Sequence, residues 1–300
     1  MDRGLIRTAV LAMFLLMQQE ALAVCSSWVR EPLQTDMAER FASETRRILQ
    51  QHRPRTALVV RASTDPLGHR LGHSHVAFVF QEWLAPGEPW TVLHVLNECS
   101  WSRLYPQTDS LYTFFQGVPG NEATILVPGN ELQERISDRL LRSRPLEGHY
   151  HARHRFLAYP FGTRFQSSNQ WALEALALAI SRTYLQDREH VHRWLQKAGY
   201  QPTVVNVASL KRMAGPQFRR ILSFDDHPFR DRVAGSVSLV TAESIITFLQ
   251  AQDPEARVYR VRAFPEGTFG TTAPGPDAPG VSPLPEHSGS RGLGQSPRRD

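Results

Sequence analysis

Two hydrophobic periods alternate along the chain from residue 35 onward. Thr35 to His52 places Met37, Phe41, Ile48 and Leu49 on roughly one side of a helix. "TALVVR" (56–61) reads as a strand. "HSHVAFVFQ" (73–81) has a period of two, with Val76, Phe78 and Phe80 on one face and His75, Ala77 and Val79 on the other. "APGEP" is turn chemistry and "WTVLHVLN" (90–97) a returning strand, so 73–97 predicts an antiparallel hairpin. "DSLYTFF" (109–115) predicts a short helix, "ATILVP" (123–128) a strand, and "NELQERISDRLL" a helix with Leu132, Ile136 and Leu140 in one row. "RFLAYPF" (155–161) reads as a strand, followed by helices near 168–185 and 188–198, the second ending at Gly199. "TVVNV", "GSVSLV" and "ARVYRVRA" add strands, and "TAESIITFL" adds a helix behind a threonine cap. The mixture predicts an α+β fold with a central antiparallel sheet.

One stretch departs from simple amphipathicity. In "YPFGTRFQSSNQWALEALALAI" (159–180), the helix from about 168 is apolar all round, with Glu174 its one charge between Trp171 and Ile180. Such a helix is buried on most sides and must satisfy its orphan amides internally. Ser167 with Gln170 fits a capping box. Ser168 is then the first helical residue, beside free amides and the positive end of the helix dipole. The pair either caps only, or also presents a reactive hydroxyl.

The ends change the picture of domain organisation. Arg3 and Arg7 precede the apolar run Ala9–Met17, and Ala21-Leu22-Ala23 has the small-x-small form of a signal-peptidase site. Residues 1–23 are expected to be a signal peptide, cleaved after Ala23 in a periplasmic or secreted protein. Cys25 as a lipoprotein anchor is a weaker fit, because Val24 precedes it poorly. Residues 265–300 are rich in Gly, Pro and Ser and are expected to be a disordered tail, which leaves 24–264 as a single domain. Cys25 and Cys99 make a disulfide feasible in an oxidising compartment. The net charge of +5 is scattered, with no basic stripe to bind nucleic acid, and no later segment is apolar enough to span a membrane.

Candidate chemistry gathers on the hairpin and the helix start. His75 and His94 lie on the two strands of the hairpin, as a base and its orienting group would. "HSHVAFVF", "LHVLNECS", "YPFGTRFQSSNQWALE" and "FDDHP" resemble the bacterial family catalogued as domain of unknown function 2145, over most of 25–250. That resemblance implies kinship of fold and brings no activity with it.

A remoter likeness is to the permuted papain-like hydrolases and acyltransferases of the NlpC/P60 superfamily. Their order is strand histidine, polar strand residue, then a cysteine opening a late helix. The resemblance implies His75 as base in "SHVAFVF", His94 as orienter, and Ser168 of "QSSNQWALE" at the cysteine position. The sulfur is absent. A serine there implies either a serine-type amide or ester hydrolase or acyltransferase, or an inactive papain-like fold kept as a ligand-binding protein of the cell envelope.

Asn97, Thr163, Arg164, Asn169 and Gln170 are further polar candidates for the same cleft. Asp225, Asp226 and His227 offer either a metal site or third catalytic member, as in a metal-dependent enzyme, or a capped turn before Pro228, which the turn propensities of Asp and Pro favour. His149, His151 and His154 lack a cysteine or carboxylate at metal spacing, so no metal is assigned. No motif calls for a cofactor, and the expected partner is a small-molecule or cell-envelope substrate.

Overall fold

The computed structural model describes residues 35–62, 74–81, 89–97, 104–116, 122–142, 149–151, 153–208, 223–263 and 269–272. The expected signal peptide, the cysteine pair and most of the C-terminal tail lie outside these residues.

A seven-stranded antiparallel sheet organises the molecule, in the order β4-β3-β2-β1-β5-β8-β9. Its strands are β1 (Thr56–Ala62), β2 (Ser74–Phe80), β3 (Thr91–Asn97), β4 (Leu104–Asp109), β5 (Glu122–Val127), β8 (Arg257–Ala263) and β9 (Phe269–Thr272). A small second sheet pairs β6 (Thr203–Asn206) with β7 (Ser236–Leu239). The helices are α1 (Thr35–His52), α2 (Leu111–Phe115), α3 (Asn130–Ser137), α4 (Ser168–Ile180), α5 (Arg188–Lys197), α6 (Phe229–Val233) and α7 (Ala242–Gln252). Among the described residues no helix is long and apolar enough to cross a membrane.

The period-two pattern of β2 divides the core. Val76, Phe78 and Phe80 join Leu58, Val60, Leu93 and Val95 beneath α3, α4, α5 and α7. Ala77 and Val79 face the other way, with Ala57, Val59 and Val92, toward α1 and α2. On α1 the buried positions Ala38, Phe41, Ala42, Ile48 and Leu49 follow a helical stripe. Helix α4 has apolar residues on every side because helices and sheet enclose it. Trp171, Leu173 and Leu176 are essentially inaccessible, each stabilising the fold by roughly 1.5–3 kcal/mol.

Three sequence expectations are corrected. Residues 155–161 form turns, not a strand, with one isolated bridge between His154 and Gln166. Their apolar side chains suit a packed loop, because Leu157 is buried beside Val237 and Leu239. Helix α4 stops at Ile180, where Ser181 turns extended. Within the segment expected from 265 to be a disordered tail, Phe269–Thr272 adds an edge strand beside β8, and Phe269 packs on Phe41 at 5.1 Å between ring centroids.

The sheet forks. Strands β2 and β3 pair only from Phe78 to Phe80 against Thr91 to Leu93. Beyond that, β2 stays with β1 down to Ser74, and β3 follows β4 out to Asn97. Backbone groups inside the fork therefore lack ladder partners from the facing strand, and side chains take their place.

Candidate functional site

His75 and His94 stand on the two prongs of the fork, on the face covered by α1 and α2. His75 Nε2 and His94 Nδ1 are 2.8 Å apart, and His94 Nε2 lies 2.8 Å from Asp109 Oδ2. A carboxylate accepts, so His94 donates from Nε2 and its Nδ1 carries a lone pair. His75 must then donate from its own Nε2, which leaves His75 Nδ1 as the free lone pair at the end of the chain. Gln107 Nε2 donates to Asp109 Oδ1 at 2.7 Å, so both carboxylate oxygens are engaged. This is a linear relay: both nitrogens of His94 are used within it, and the three side chains do not converge as metal ligands. Among the described residues no group of three His, Cys, Asp or Glu side chains does so.

The surroundings keep the relay neutral. Burial, then the neighbouring His94 and Arg61, hold the His75 imidazole well below the usual histidine range. Burial also lowers His94, against the pull of its hydrogen bond to Asp109. Phe114 of α2 packs edge-on against His94 at 5.5 Å and is tilted against His75 at 5.9 Å.

The start of α4 reaches the fork from the opposite face. Asn169 Oδ1 accepts from Val76 N at 3.2 Å, one of the amides that β3 leaves unpaired. This bond fixes the first turn of α4 to the residue next to His75. Ser168, the first residue of that turn, is half-buried, and no hydrogen bond joins it to either histidine. Ser167 caps the helix, accepting from Gln170 N at 3.1 Å while Gln170 Oε1 accepts from Ser167 N, as the capping-box spacing predicts.

The other polar candidates form a second cluster. Gln170 Nε2 faces the carbonyls of Tyr159, Pro160 and Gly162 at 3.1–3.3 Å. Arg188 donates to the carbonyls of Gly162, Thr163 and Phe165 and to both oxygens of Glu174. Glu174 also accepts from Gln166 Nε2 and His192 Nε2, each at 2.7 Å. Burial opposes ionisation of Glu174, but Arg188 and His192 outweigh it and hold the carboxyl below its ordinary value. The inward carbonyls of the 159–165 loop are thus gathered by two side chains on a charged base.

The "FDDHP" residues hold the same loop from outside. Asp225 pairs with Arg155 and, at 3.0 Å, with Arg164. The hydroxyl of Ser223 leads in holding the Asp225 carboxyl down at about 2, with help from both arginines. Asp226 accepts from Tyr159 N at 2.9 Å, and His227 Nε2 donates to Leu157 O at 2.8 Å. Asp225, Asp226 and His227 thus form a latch on the loop, with His227 Nδ1 buried and without a partner. Thr163 and Arg164 are exposed on the loop, and no hydrogen bond links this cluster to the relay. Asn97 ends β3, and its side chain lies outside the described residues.

Sequence reasoning missed Asp109, Arg61 and the Glu174 network. Asp109 closes an edge strand whose sequence, "LYPQTD", hides its nature, because Pro106 is tolerated only where one side of a strand is unpaired. Glu174 could have been found, as a lone carboxylate in an apolar helix demands a buried cation. Three open hollows lined by described residues lie around Gly129, Arg135 and Glu255, and none of these three is lined by a predicted site residue.

A family model described as an uncharacterised protein conserved in bacteria (DUF2145) matches residues 48–249. That span takes in the relay, the start of α4 and the loop with its latch. No curated protein and no solved structure matches the chain.

Proposed function

The chain belongs to this bacterial family, and from the geometry of its histidines we propose that it is a hydrolase or acyltransferase of amide or ester bonds with His75 as general base. One observation carries the reading: the unbroken chain Asp109–His94–His75 ends in an imidazole nitrogen with a free lone pair. His94 orients His75, and Asp109 fixes the tautomer of His94, as base relays require.

Ser168 is the proposed nucleophile. Its Oγ attacks the substrate carbonyl, and its proton passes to His75 Nδ1. The leaving group takes that proton, and water or another acceptor then releases the acyl-serine. Free amides at the start of α4 would hold the developing oxyanion. The bond from Val76 to Asn169 ties the helix start to the strand that carries His75, and the pairing needs Ser168 and His75 to meet through the fork between β2 and β3. In this reading the α+β fold is a papain-like core related to NlpC/P60, with oxygen in place of sulfur. Arg3, Arg7, the apolar run and Ala21-Leu22-Ala23 support export to the periplasm.

A second reading rests on the lack of a hydrogen bond between Ser168 and either histidine. It makes the protein a non-catalytic binder of an envelope ligand. A serine-reactive fluorophosphonate separates the two. Under the first reading it labels the wild type, and Ser168→Ala and His75→Ala each abolish labelling while leaving the thermal midpoint within a few degrees. Absence of labelling in folded wild-type protein would sink the serine-hydrolase reading and favour the binder.

A further inference from the structure

We propose that Arg61 is an anion seat beside the relay, taking a carboxylate or phosphate group of the molecule that docks at His75. The proposal relies on the relay being the working site, but not on any chemistry at Ser168. Arg61 lies directly across from His75 in the β1–β2 register. Its guanidinium sits over the Phe114 ring, 4.7 Å from the centroid, and Nη1 donates to the Phe114 carbonyl at the end of α2. That bond uses one of five donor positions. Nε is buried with no acceptor, and among the described residues no carboxylate bonds to the group.

The acid that acts on Arg61 is already committed elsewhere. Asp109 acts on Arg61 through space, yet its two oxygens are taken by His94 and Gln107. A buried cation without a bonded counter-charge is costly, and proteins keep one where a ligand supplies the charge. Burial draws the guanidinium down to about 10, so it stays charged at neutral pH. Among the described residues its neighbours include the two imidazoles, the ring of Phe114 and an acid already in use. A planar guanidinium fork suits carboxylate and phosphate oxyanions alike.

The test follows the histidine rings of the full chain by NMR while inorganic phosphate or acetate replaces chloride at constant ionic strength. Arg61 pushes His75 and His94 toward the neutral form, so an anion bound on it must raise both titration midpoints, saturably. In Arg61→Met the midpoints start higher and no longer respond. Arg61→Lys keeps the charge without the fork and weakens binding about tenfold; it carries the comparison if Arg61→Met does not fold. A response to phosphate alone assigns a phosphate group, and a response to acetate assigns a carboxylate. No saturable response to either, or an equal response in the arginine variants, overturns the proposal. Fluorophosphonate labelling is read separately, so failure at Ser168 leaves this result intact.

Discussion

Two buried polar clusters built from histidine, arginine and an acid lie in one molecule, and they differ in closure. Around Glu174 each carboxylate oxygen has two partners, and the guanidinium of Arg188 is shared among that carboxylate and three loop carbonyls. Around Asp109 each carboxylate oxygen has one partner, and Arg61 Nε is buried without an acceptor; His192 Nδ1 in the Glu174 cluster is also buried without a partner, so the arginines are what separate the two. A closed network spends its polarity on holding backbone in place. An open one keeps polarity for something that arrives. Burial alone does not distinguish the two, and the partners of the buried arginine do: Arg188 bonds to a carboxylate and Arg61 Nε has no acceptor.

The largest effect that would break this contrast is at the closed cluster. Glu174→Gln leaves Arg188 as a buried cation without its carboxylate and is expected to cost about 3–5 kcal/mol in urea denaturation. A loss under about 1 kcal/mol would mean that the network does not hold the loop. Acid comes next. His154 donates to Gln166 O, and burial draws its imidazole down to about 4. The unfolded chain takes up this proton near pH 6.5 and the folded chain only near 4, so stability is whole above about 6.5 and falls as pH drops toward 4, by about 3 kcal/mol for this residue. Urea titrations across that window should show the decline, and His154→Phe should flatten it.

Gln170→Ala removes one half of the capping box and leaves three loop carbonyls without their shared donor. A loss of about 1–2 kcal/mol is expected, read as a lower denaturation midpoint at unchanged slope. The smallest effect belongs to the open cluster. His75→Gln should change stability by less than about 1 kcal/mol while abolishing fluorophosphonate labelling. A large loss of stability there would place His75 among the structural residues and erase the distinction.

Most of the sheet was legible in the sequence because its strands obey a strict period. "HSHVAFVF" and "WTVLHVLN" declared their faces, and the capping box of Ser167 and Gln170 declared the start of α4. The site was legible only as far as His75 and His94. Asp109 was hidden because β4 is an edge strand with Pro106 in it, and edge strands need no apolar alternation. Arg61 was hidden because it closes a strand whose remaining residues read as core. The turn-rich segment 155–161 misled because its apolar residues serve a small separate core with β6 and β7 rather than a strand face. The roles of Arg164 and the "FDDHP" residues depend on contacts across more than sixty positions of sequence, and that of Thr163 on Arg188 twenty-five positions away, which no local pattern encodes.

The fork between β2 and β3 gives the relay a mechanical meaning. Where the backbone ladder stops, the bond between His75 and His94 is a clasp across two blades of one sheet. A single proton on His75 Nδ1 leaves the clasp fastened, since Nε2 still donates. Once both imidazoles are doubly protonated, one N–H faces another and the clasp opens. Amide exchange along the lower half of β2 would then quicken in acid ahead of the rest of the sheet, so that the same atoms poised to move a proton also govern how far the blades can part.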